Sequence, residues 1–283
     1  MADERDQIIK GVPKMETKQK KLEEYLTSLG RVVIAFSGGV DSTLLAMAAY
    51  RALGENAIAA TAVSPSLTAK EKEDCAAIAK HIGIKHVFLE SGEMADADFL
   101  RNDARRCYYC KRVRMGQLCA WAKANGFEHV AEGTNLDDVK DYRPGAQALA
   151  ELPMIVSPLE KAGLTKADIR AISKEWGLPT WNKQSAACLA SRIAYGIDLT
   201  PERFRQVEES EIIVRKYVQG QMRVRHHGEV ARIEVEQSQI PILMQDNVRE
   251  EIAARLKELG FRYVTIDLTG YRMGSLNESL PQK

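Results

Sequence analysis

Two cysteines, Cys107 and Cys110, stand three positions apart in the segment RRCYYCKR at residues 105–112. Their spacing suits a redox-active pair or two ligands of a metal site. The segment is rich in arginine and lysine and leads into a predicted helix, which is a setting in which cysteines are often reactive. Which of these roles applies depends on the other reactive residues of the chain.

The chain has five cysteines, and the other three fall into two classes. Cys75 and Cys119 share predicted helical faces with apolar residues, which is typical of buried core thiols. Cys188 instead stands in KQSAACLASRIAYG at residues 183–196, a segment rich in small residues. Three thiolates lack the fourth ligand of a tetrahedral zinc site, although a histidine could supply it. In a cubane iron–sulfur cluster they would leave one iron open, whereas a thioredoxin-like pair would leave Cys188 unexplained.

A second group of residues is suited to binding phosphate. The segment FSGGVDST at residues 36–43 joins a short apolar run to a predicted helix, and backbone N–H groups at a helix N-terminus bind anions. Its glycines let the backbone approach phosphate closely, and its serines add hydroxyl donors. Asp41 could hold Mg²⁺ beside the phosphates or cap the helix. The residues expected to line the phosphate are Ser37, Gly38, Gly39 and Ser42.

The S-G-G-x-D-S pattern resembles the PP-loop of the ATP pyrophosphatase superfamily. Members of that superfamily cleave ATP between the α and β phosphates and leave AMP on a substrate oxygen. A second segment, EGTNLDD at residues 132–138, resembles a G-T-N-x-D-D segment at the carboxyl edge of the same sheet in several of these enzymes. By itself it would pass as a polar loop with a helix cap. Together the two resemblances imply ATP as cofactor and nucleotide contacts from Gly133, Thr134 and Asn135.

Such segments need a scaffold that brings the ends of several strands together. Up to residue 177, short apolar runs alternate with helical patterns, which is typical of a parallel sheet covered by helices on both faces. We therefore predict an α/β fold, and the resemblance implies the PP-loop (adenine nucleotide alpha hydrolase-like) version of it. Strands are predicted at residues 31–36, 57–63, 85–91 and 129–133.

In the last third of the chain the pattern changes. Residues 221–236 alternate in period two around His227 and Gly228, which predicts a β-hairpin. With the helix before it and the helix and strand after it, this gives a small α+β unit of the order α-β-β-α-β. We therefore predict a PP-loop ATP pyrophosphatase domain over residues 1–197 and a small substrate-binding or oligomerisation domain over residues 198–283.

The composition restricts the class of protein. Forty basic and thirty-nine acidic residues give a formal charge of +1, without the basic field of a protein that wraps a nucleic acid. No apolar run approaches the roughly 20 residues of a membrane span. The N-terminal residues MADERDQIIK lack the apolar core of a secretory signal, and an odd, low number of cysteines suits a reducing compartment. We therefore expect a cytoplasmic protein that binds neither nucleic acid nor membrane.

Six motifs together resemble the LarE family, namely SGGVDS, RRCYYCK, EGTN, CLASRIAYG, RVRHHGEVARIEV and GYRMGSLN. LarE proteins are ATP-dependent sulfur transferases that help to build the nickel-pincer nucleotide of lactate racemase. The resemblance implies that this chain adenylates the carboxylates of pyridinium-3,5-biscarboxylic acid mononucleotide. Sulfur then displaces AMP and leaves a thiocarboxylate.

The family has two subtypes that differ in their cysteines. In one, a single cysteine of the C-L-A-S-R motif gives up its own sulfur and becomes dehydroalanine. In the other, this cysteine and a C-x-x-C pair hold a 4Fe–4S cluster whose open iron carries an extra sulfide. Because this chain has all three cysteines, it resembles the cluster-bearing subtype, with Cys107, Cys110 and Cys188 as implied ligands. Sacrifice of Cys188 without a cluster remains the alternative.

The resemblance also implies a substrate site. Arg223 and Arg225 alternate onto one face of a predicted strand and could bind phosphate or carboxylate. Glu211 and Glu234 belong to the same region, and for them a role as ordinary surface charges is as good an interpretation as a role in substrate binding. Cys188 and Asp41 are the residues expected to take direct part in the reaction, and no general base is needed because a carboxylate is ionised at pH 7. The residues assigned to substrate are Ser191, Arg192, Glu211, Arg223, Arg225 and Glu234.

Two other functions remain open. A tRNA 2-thiolation enzyme also joins a PP-loop to a three-cysteine cluster, but the near-neutral charge and the absence of a recognisable RNA-binding module count against it. A nucleotide-binding regulatory protein with structural zinc would show no turnover. The expected partner is a small-molecule nucleotide, and the resemblance implies a homo-oligomer such as a hexamer.

Overall fold

The structure is a computed structural model that describes residues 2–138, 144–184 and 187–279. The chain divides into two compact units. The first unit comprises Met1–Val63, Ala69–Gly92 and Cys110–Ala186. The second comprises Ser64–Thr68, Glu93–Tyr109 and Ala187–Lys283. The second unit thus takes in two earlier segments besides the C-terminal part of the chain, and a domain division after residue 197 stays a prediction.

The first unit is built around a parallel sheet of five strands, which confirms the predicted α/β class. Its strands are β1 (Val32–Ala35), β2 (Ala57–Val63), β3 (Lys85–Glu90), β4 (His129–Ala131) and β5 (Ile155–Val156). They lie in the order β3-β2-β1-β4-β5. The first four occupy the predicted positions. The fifth was not predicted because two residues are too few to form a recognisable pattern.

Helices separate these strands. In chain order, the helices of the described residues are α1 (Ala2–Leu29), α2 (Val40–Leu53), α3 (Ala69–Ile82), α4 (Ala97–Leu100), α5 (Arg106–Ala124), α6 (Pro144–Ala150), α7 (Pro158–Lys161), α8 (Lys166–Glu175), α9 (Pro201–Arg215), α10 (Ile240–Leu243) and α11 (Asp246–Glu258). Within these ranges no helix is both long enough and apolar enough to cross a membrane.

The core of the first unit lies on both faces of its sheet. Along β1, Val32 and Ile34 pack into one hydrophobic cluster with Leu44, whereas Val33 packs into a second cluster with Met115. This alternation follows from the two-residue period of a strand. A central strand that is apolar on both sides therefore requires helices on both sides, as predicted from the continuous apolar run.

Cys75 and Cys119 are the two cysteines of these clusters, one in each. Both are buried, as predicted, and burial raises the pKa of each thiol. A buried thiol held in its neutral form is a poor nucleophile and a poor metal ligand. Neither residue is therefore a candidate for the chemistry of the other three cysteines.

The second unit has the predicted α-β-β-α-β order. Its strands are β6 (Met222–His227), β7 (Val230–Val235) and β8 (Tyr263–Ile266), with β6 antiparallel and β8 parallel to β7. Thr200 caps α9 through a hydrogen bond from the Arg203 N–H, and Pro201 occupies the first turn, where proline is tolerated. Apolar residues of α9 and α11 cover the sheet.

The predicted hairpin turn is held by a histidine. Gly228 follows β6 with a φ of +70°, a backbone conformation that glycine adopts without strain. Its N–H donates to Nδ1 of His226, whose Nε2 lies 3.1 Å from Oε1 of Gln206. Burial lowers the pKa of His226 to about 4, so the ring is neutral at pH 7. His226 therefore stabilises the turn.

Candidate active site

The segment between β1 and α2 lies at the carboxyl edge of the parallel sheet, where the phosphate loop was predicted. The backbone N–H of Ser37 donates to Oγ of Ser42, and the two hydroxyl oxygens are 3.1 Å apart. Gly39 is the N-cap residue of α2 and has no side chain with which to cap the helix. The N-terminus of α2 therefore keeps the N–H groups that make such a position suitable for an anion.

Gly38 gives this loop its shape. Its φ is +64°, and a Cβ atom placed on it would lie 3.0 Å from Sγ of Cys75. We expect Gly38→Ala to lower the free energy of unfolding by about 1–3 kcal/mol, because the left-handed backbone and the contact with Cys75 both oppose the methyl group. Urea unfolding with and without ATP measures the loss and the accompanying weakening of ATP binding.

Gly116→Ala provides the matched control for this prediction. Gly116 lies inside α5, and a Cβ atom there would meet no atom within 4 Å. Because alanine favours a helix over glycine, this variant should gain about 0.5–1 kcal/mol. A Gly38→Ala protein as stable as the wild type would contradict the requirement for glycine in the loop.

The second predicted segment packs directly against the loop. A Cβ atom on Gly133 would lie 3.1 Å from Cβ of Asp41, so glycine permits this approach. Nδ2 of Asn135 lies 3.4 Å from Oδ1 of Asp41 and donates to Asp138 at 2.7 Å. The backbone N–H and the hydroxyl of Thr134 both donate hydrogen bonds to Oε2 of Glu132. The structure thus brings the two sequence motifs of the first unit together at one sheet edge.

Asp41 does not cap α2 but forms an ion pair with Lys166. Lys166 is the first residue of α8, after the N-cap Thr165. A positive charge at a helix N-terminus opposes the helix dipole, so a lysine there is stabilised by a nearby anion. This mismatch was the one sequence signal for Lys166. A carboxylate and an ammonium group beside the loop are the charges that a magnesium–triphosphate engages.

A further lysine that the sequence analysis missed contacts the loop itself. Nζ of Lys183 donates to the carbonyl oxygen of Gly38 at 3.1 Å and to Oδ2 of Asp74 at 3.4 Å. Lys183 therefore holds the loop from the side of α3. Nothing in its sequence context predicts this contact, because its partners are 109 and 145 positions away along the chain.

Cys188 lies in the second unit at the start of a 3-10 turn, Leu189–Arg192. Its carbonyl oxygen accepts hydrogen bonds from the hydroxyl of Ser191 at 2.7 Å and from Nη1 of Arg192 at 3.0 Å. Both side chains were predicted to contact substrate. In the structure they hold the backbone of Cys188, whose side chain is half-buried.

The C-x-x-C pair lies in the first turns of α5, where Cys107 is exposed and Cys110 is half-buried. In the described ranges, no group of three or more His, Cys, Asp or Glu side chains is arranged to hold a metal ion. The chemistry of the donors does suit a cluster, because Cys107, Cys110 and Cys188 are the three cysteines outside the hydrophobic core.

The two glutamates of the predicted substrate region are not surface charges, because each of them holds an arginine. Glu211 accepts from Nε and Nη2 of Arg192 at 3.0 and 3.4 Å. Glu234 is fully buried and pairs with Arg225 at 2.8 Å and with Arg232 at 2.9 Å. Paired carboxylates fix the direction of a guanidinium group and leave its remaining N–H groups for other acceptors.

Arg223 is the exception among these arginines. It is 8% exposed, and in the described part of the chain no carboxylate oxygen lies within 4 Å of its guanidinium group. Nη1 donates to the carbonyl oxygen of Met222, and the Tyr271 ring lies 5.2 Å away. Burial and the positive charge of Arg192 lower the pKa of Arg223. A buried cation that has no carboxylate oxygen within 4 Å among the described residues provides a site for an anion.

Two residues of this region were quoted in a motif but given no role by the sequence analysis. The ring of Tyr271 faces Arg223, and Oγ of Ser275 donates to Oε1 of Glu234 at 2.8 Å and accepts from Arg225 at 3.1 Å. Both belong to GYRMGSLN. Their place in that motif was the available signal, but a motif alone does not say which strands its side chains contact.

The model of the NAD synthase family matches residues 14–138 of the chain. Over 266 residues the chain is 43% identical to an uncharacterized protein of Synechocystis, covering 94% of this chain and 99% of that protein. It is 36% identical over 267 residues to the pyridinium-3,5-bisthiocarboxylic acid mononucleotide synthase of Lactiplantibacillus plantarum, covering 94% and 96%. Similarity to a tRNA-specific 2-thiouridylase of Xanthobacter autotrophicus is lower, 26% over 238 residues, and covers 70% of this chain and 60% of that one.

Proposed function

Because this chain belongs to the LarE family of pyridinium-3,5-bisthiocarboxylic acid mononucleotide synthases, we propose that it carries out ATP-dependent sulfur transfer to pyridinium-3,5-biscarboxylic acid mononucleotide. The observation that carries the proposal is Arg223, a buried cation without a carboxylate partner in the described residues, beside two arginines already oriented by glutamates. A substrate that carries one phosphate and two carboxylates supplies the anions that such a site needs.

The first half of the reaction is adenylation. A substrate carboxylate oxygen attacks the α-phosphorus of ATP, the bond from that phosphorus to the bridging oxygen breaks, and pyrophosphate leaves with the electron pair. Backbone N–H groups around Gly38 and Gly39 and the hydroxyls of Ser37 and Ser42 stabilise negative charge on the phosphates. Gly133, Thr134 and Asn135 complete the nucleotide site. The attacking carboxylate is ionised at pH 7, so the step requires no general base.

Asp41 is the residue that would hold Mg²⁺. Magnesium is commonly bound by one or two carboxylates together with substrate phosphates, and Asp41 supplies one carboxylate at the edge of the loop. Magnesium would neutralise charge on the leaving pyrophosphate. Lys166 pairs with Asp41 and provides a second positive charge at the same place.

The arginines of the second unit bind the substrate nucleotide in this proposal. Arg223 binds an anionic group of the substrate, because none of the described residues provides a carboxylate partner for its guanidinium group. Arg192 and Arg225 add N–H groups whose direction is set by Glu211 and Glu234. The glutamates therefore act on the substrate through the arginines and do not touch it. Ser191 contributes by fixing the turn after Cys188.

In the second half of the reaction sulfur attacks the acyl carbon, and the bond from that carbon to the AMP oxygen breaks. We infer from the donor chemistry that Cys107, Cys110 and Cys188 hold a 4Fe–4S cluster, which would supply an iron without a protein ligand that can carry an additional sulfide. In the alternative route Sγ of Cys188 forms a thioester. Cys188 then loses its Cα proton and its Cβ–Sγ bond breaks. The thiocarboxylate is released, and residue 188 becomes dehydroalanine.

The partner in this proposal is a small-molecule nucleotide. A cytoplasmic location and assembly into a homo-oligomer such as a hexamer stay predictions from the sequence and from the family resemblance. Size-exclusion chromatography with light scattering measures the oligomeric state directly.

Arg223→Gln tests the proposed substrate site. We expect the KM for the biscarboxylic acid mononucleotide to rise about 10- to 100-fold, because a charge-assisted hydrogen bond contributes about 1.5–3 kcal/mol. The KM for ATP should not change. Formation of AMP and of thiocarboxylate, followed by mass spectrometry, gives both constants. Arg262→Gln is the control, since the carboxylate partner of Arg262 among the described residues is the exposed Glu229. An unchanged KM for the nucleotide in Arg223→Gln would remove the central support for the proposal.

A further inference from the structure

Two buried polar residues that precede Cys107 contact the segment that follows Cys188, and all of these residues belong to the second unit. The first is Asn102, which is fully buried. Its Nδ2 donates at 2.9 to 3.3 Å to three backbone carbonyl oxygens, those of Ile193, Ala194 and Ile197. The carbonyl oxygen of Asn102 accepts the N–H of Gly196 at 3.1 Å. Asn102 thus contacts four of the five positions from 193 to 197.

The second residue is Arg106, one position before Cys107. Its Nη1 donates to Oδ1 of Asn102 at 2.6 Å and to the carbonyl oxygen of Ala190 at 2.9 Å. Its guanidinium group also lies 5.0 Å from the centre of the Tyr195 ring. Arg106 therefore links Asn102 by hydrogen bonds to the turn that begins at Cys188. We refer to Asn102 and Arg106 together as the polar brace.

The polar brace includes features that lower stability. Asn102 has a φ of +53°, the one positive φ outside glycine in the described residues. Arg106 is 5% exposed, its partners in those residues are neutral oxygens and an aromatic ring, and its Nε has no hydrogen-bond partner. A left-handed asparagine and a buried charge without a counter-ion both cost free energy. Such departures from local rules concentrate where function requires them.

Tyr195 indicates what lies beside the polar brace. Burial raises the pKa of the Tyr195 phenol, and Arg106 lowers it. The guanidinium group of Arg106, one position before Cys107, lies 5.0 Å from the centre of the Tyr195 ring. Nη1 of the same side chain donates to the carbonyl oxygen of Ala190, two positions after Cys188. Arg106 therefore connects the two cysteine-bearing segments of the second unit.

We propose that Asn102 and Arg106 are positioning residues for sulfur delivery, and that they hold the turn beginning at Cys188 in a fixed place beside the start of α5. This inference rests on the proposed function in one respect only, namely that Cys188 takes part in sulfur transfer. The hydrogen bonds of the brace go to the backbone after Cys188, within the second unit, whereas the phosphate loop belongs to the first unit. Loss of the brace should therefore impair sulfur transfer and leave adenylation unchanged.

Two variants remove the polar brace in different ways. Asn102→Gly removes the side-chain hydrogen bonds, and glycine tolerates the positive φ of this position. Arg106→Lys keeps the positive charge but removes the planar guanidinium group with its several N–H donors. Arg105→Gln is the matched control, because Arg105 is the exposed neighbour whose guanidinium group faces the rings of Tyr108 and Tyr109. If one variant does not fold, as judged by thermal unfolding, the other still tests the brace.

Hydrogen exchange on the full chain gives a readout that is independent of activity. We expect amide exchange in residues 187–199 to accelerate about tenfold in both variants, with no change in residues 222–235 and no change in Arg105→Gln. Acceleration of equal size in both segments would indicate general destabilisation and would overturn the inference. Unchanged exchange in residues 187–199 would overturn it as well.

Separate assays of the two half-reactions give the second readout. AMP formation should match the wild type, whereas thiocarboxylate formation should fall about 100-fold, the size of effect that a misplacement of about 1 Å produces. Equal losses in both half-reactions would contradict a positioning role. A wild-type protein that forms no AMP from ATP and the mononucleotide would instead contradict the proposed function, and the exchange experiment would still decide whether the brace holds the turn.

Discussion

Replacing Cys188 by alanine is expected to abolish thiocarboxylate formation and to leave AMP formation intact. Both routes of sulfur delivery use this thiol, either as a cluster ligand or as the sulfur donor itself. The loss should exceed about a thousandfold, which corresponds to about 4 kcal/mol of activation free energy. Adenylation should persist because the phosphate loop and its lysines belong to the first unit and Cys188 to the second. Single-turnover assays that follow AMP and thiocarboxylate separately provide the measurement.

Cys107→Ala distinguishes the two routes. If three cysteines hold a cluster, this variant should lose both iron and thiocarboxylate formation, as Cys188→Ala does. If Cys188 is sacrificed without a cluster, Cys107→Ala should retain activity, and Cys188 of the wild type should lose the mass of H₂S after one turnover. Iron and acid-labile sulfide are determined on protein prepared without air. Persistent thiocarboxylate formation in Cys188→Ala would contradict both routes.

Removing the carboxylate of Glu234 is expected to have the largest effect on stability. This side chain is fully buried and pairs with Arg225 and Arg232, and Ser275 donates to it as well. Glu234→Ala would leave a buried guanidinium group without its counter-ion, which costs about 3–5 kcal/mol. We expect that loss in the free energy of unfolding, measured by urea denaturation followed by circular dichroism.

The control for this prediction is an exposed ion pair. Glu229→Ala removes the surface pair with Arg262, in which both side chains are 66% exposed, and should change stability by less than about 1 kcal/mol. Glu234→Gln keeps the shape of the side chain and its ability to accept hydrogen bonds, so its loss should be smaller than that of Glu234→Ala. A Glu234→Ala protein within 1 kcal/mol of the wild type would show that the arginines find other partners.

The sheet of the first unit was predictable because its signal is local. The run at β1 is apolar at every position, and the glycine pair that follows it marks the end of the strand. The same holds for the hairpin of β6 and β7, where Gly228 stands between two alternating runs. Local patterns predict backbone conformation well because the spacing of apolar and polar residues within one short segment is sufficient to indicate a strand or a helix.

The partners of the site residues were not predictable, because they depend on contacts between distant parts of the chain. Glu234 stands opposite Arg223 in the strand register, yet its carboxylate pairs with Arg225. The roles of Ser191 and Arg192 in holding the backbone of Cys188 depend on rotamers that a sequence does not specify. A family motif identified these residues as important, but their contacts had to come from the structure.

Two short segments were predicted only as part of the chain before residue 197. Residues 64–68 and 93–109 follow strands of the first unit. Both belong to the second unit, where Ser66 accepts the N–H of Leu189 and Asn102 holds residues 193–197. Loops carry no periodic pattern that would reveal which unit buries them.

The order in which a ribosome makes these segments follows from that division. All five strands of the first unit, and both lysines at its phosphate loop, are synthesised before residue 187. Asn102, in contrast, emerges 95 residues ahead of Ile197, its most distant carbonyl partner, which is a delay of about 5–20 s at ordinary elongation rates. During that interval Asn102 and Arg106 have none of their partners beyond residue 187. Translation therefore completes the first unit before it makes the segment that carries Cys188.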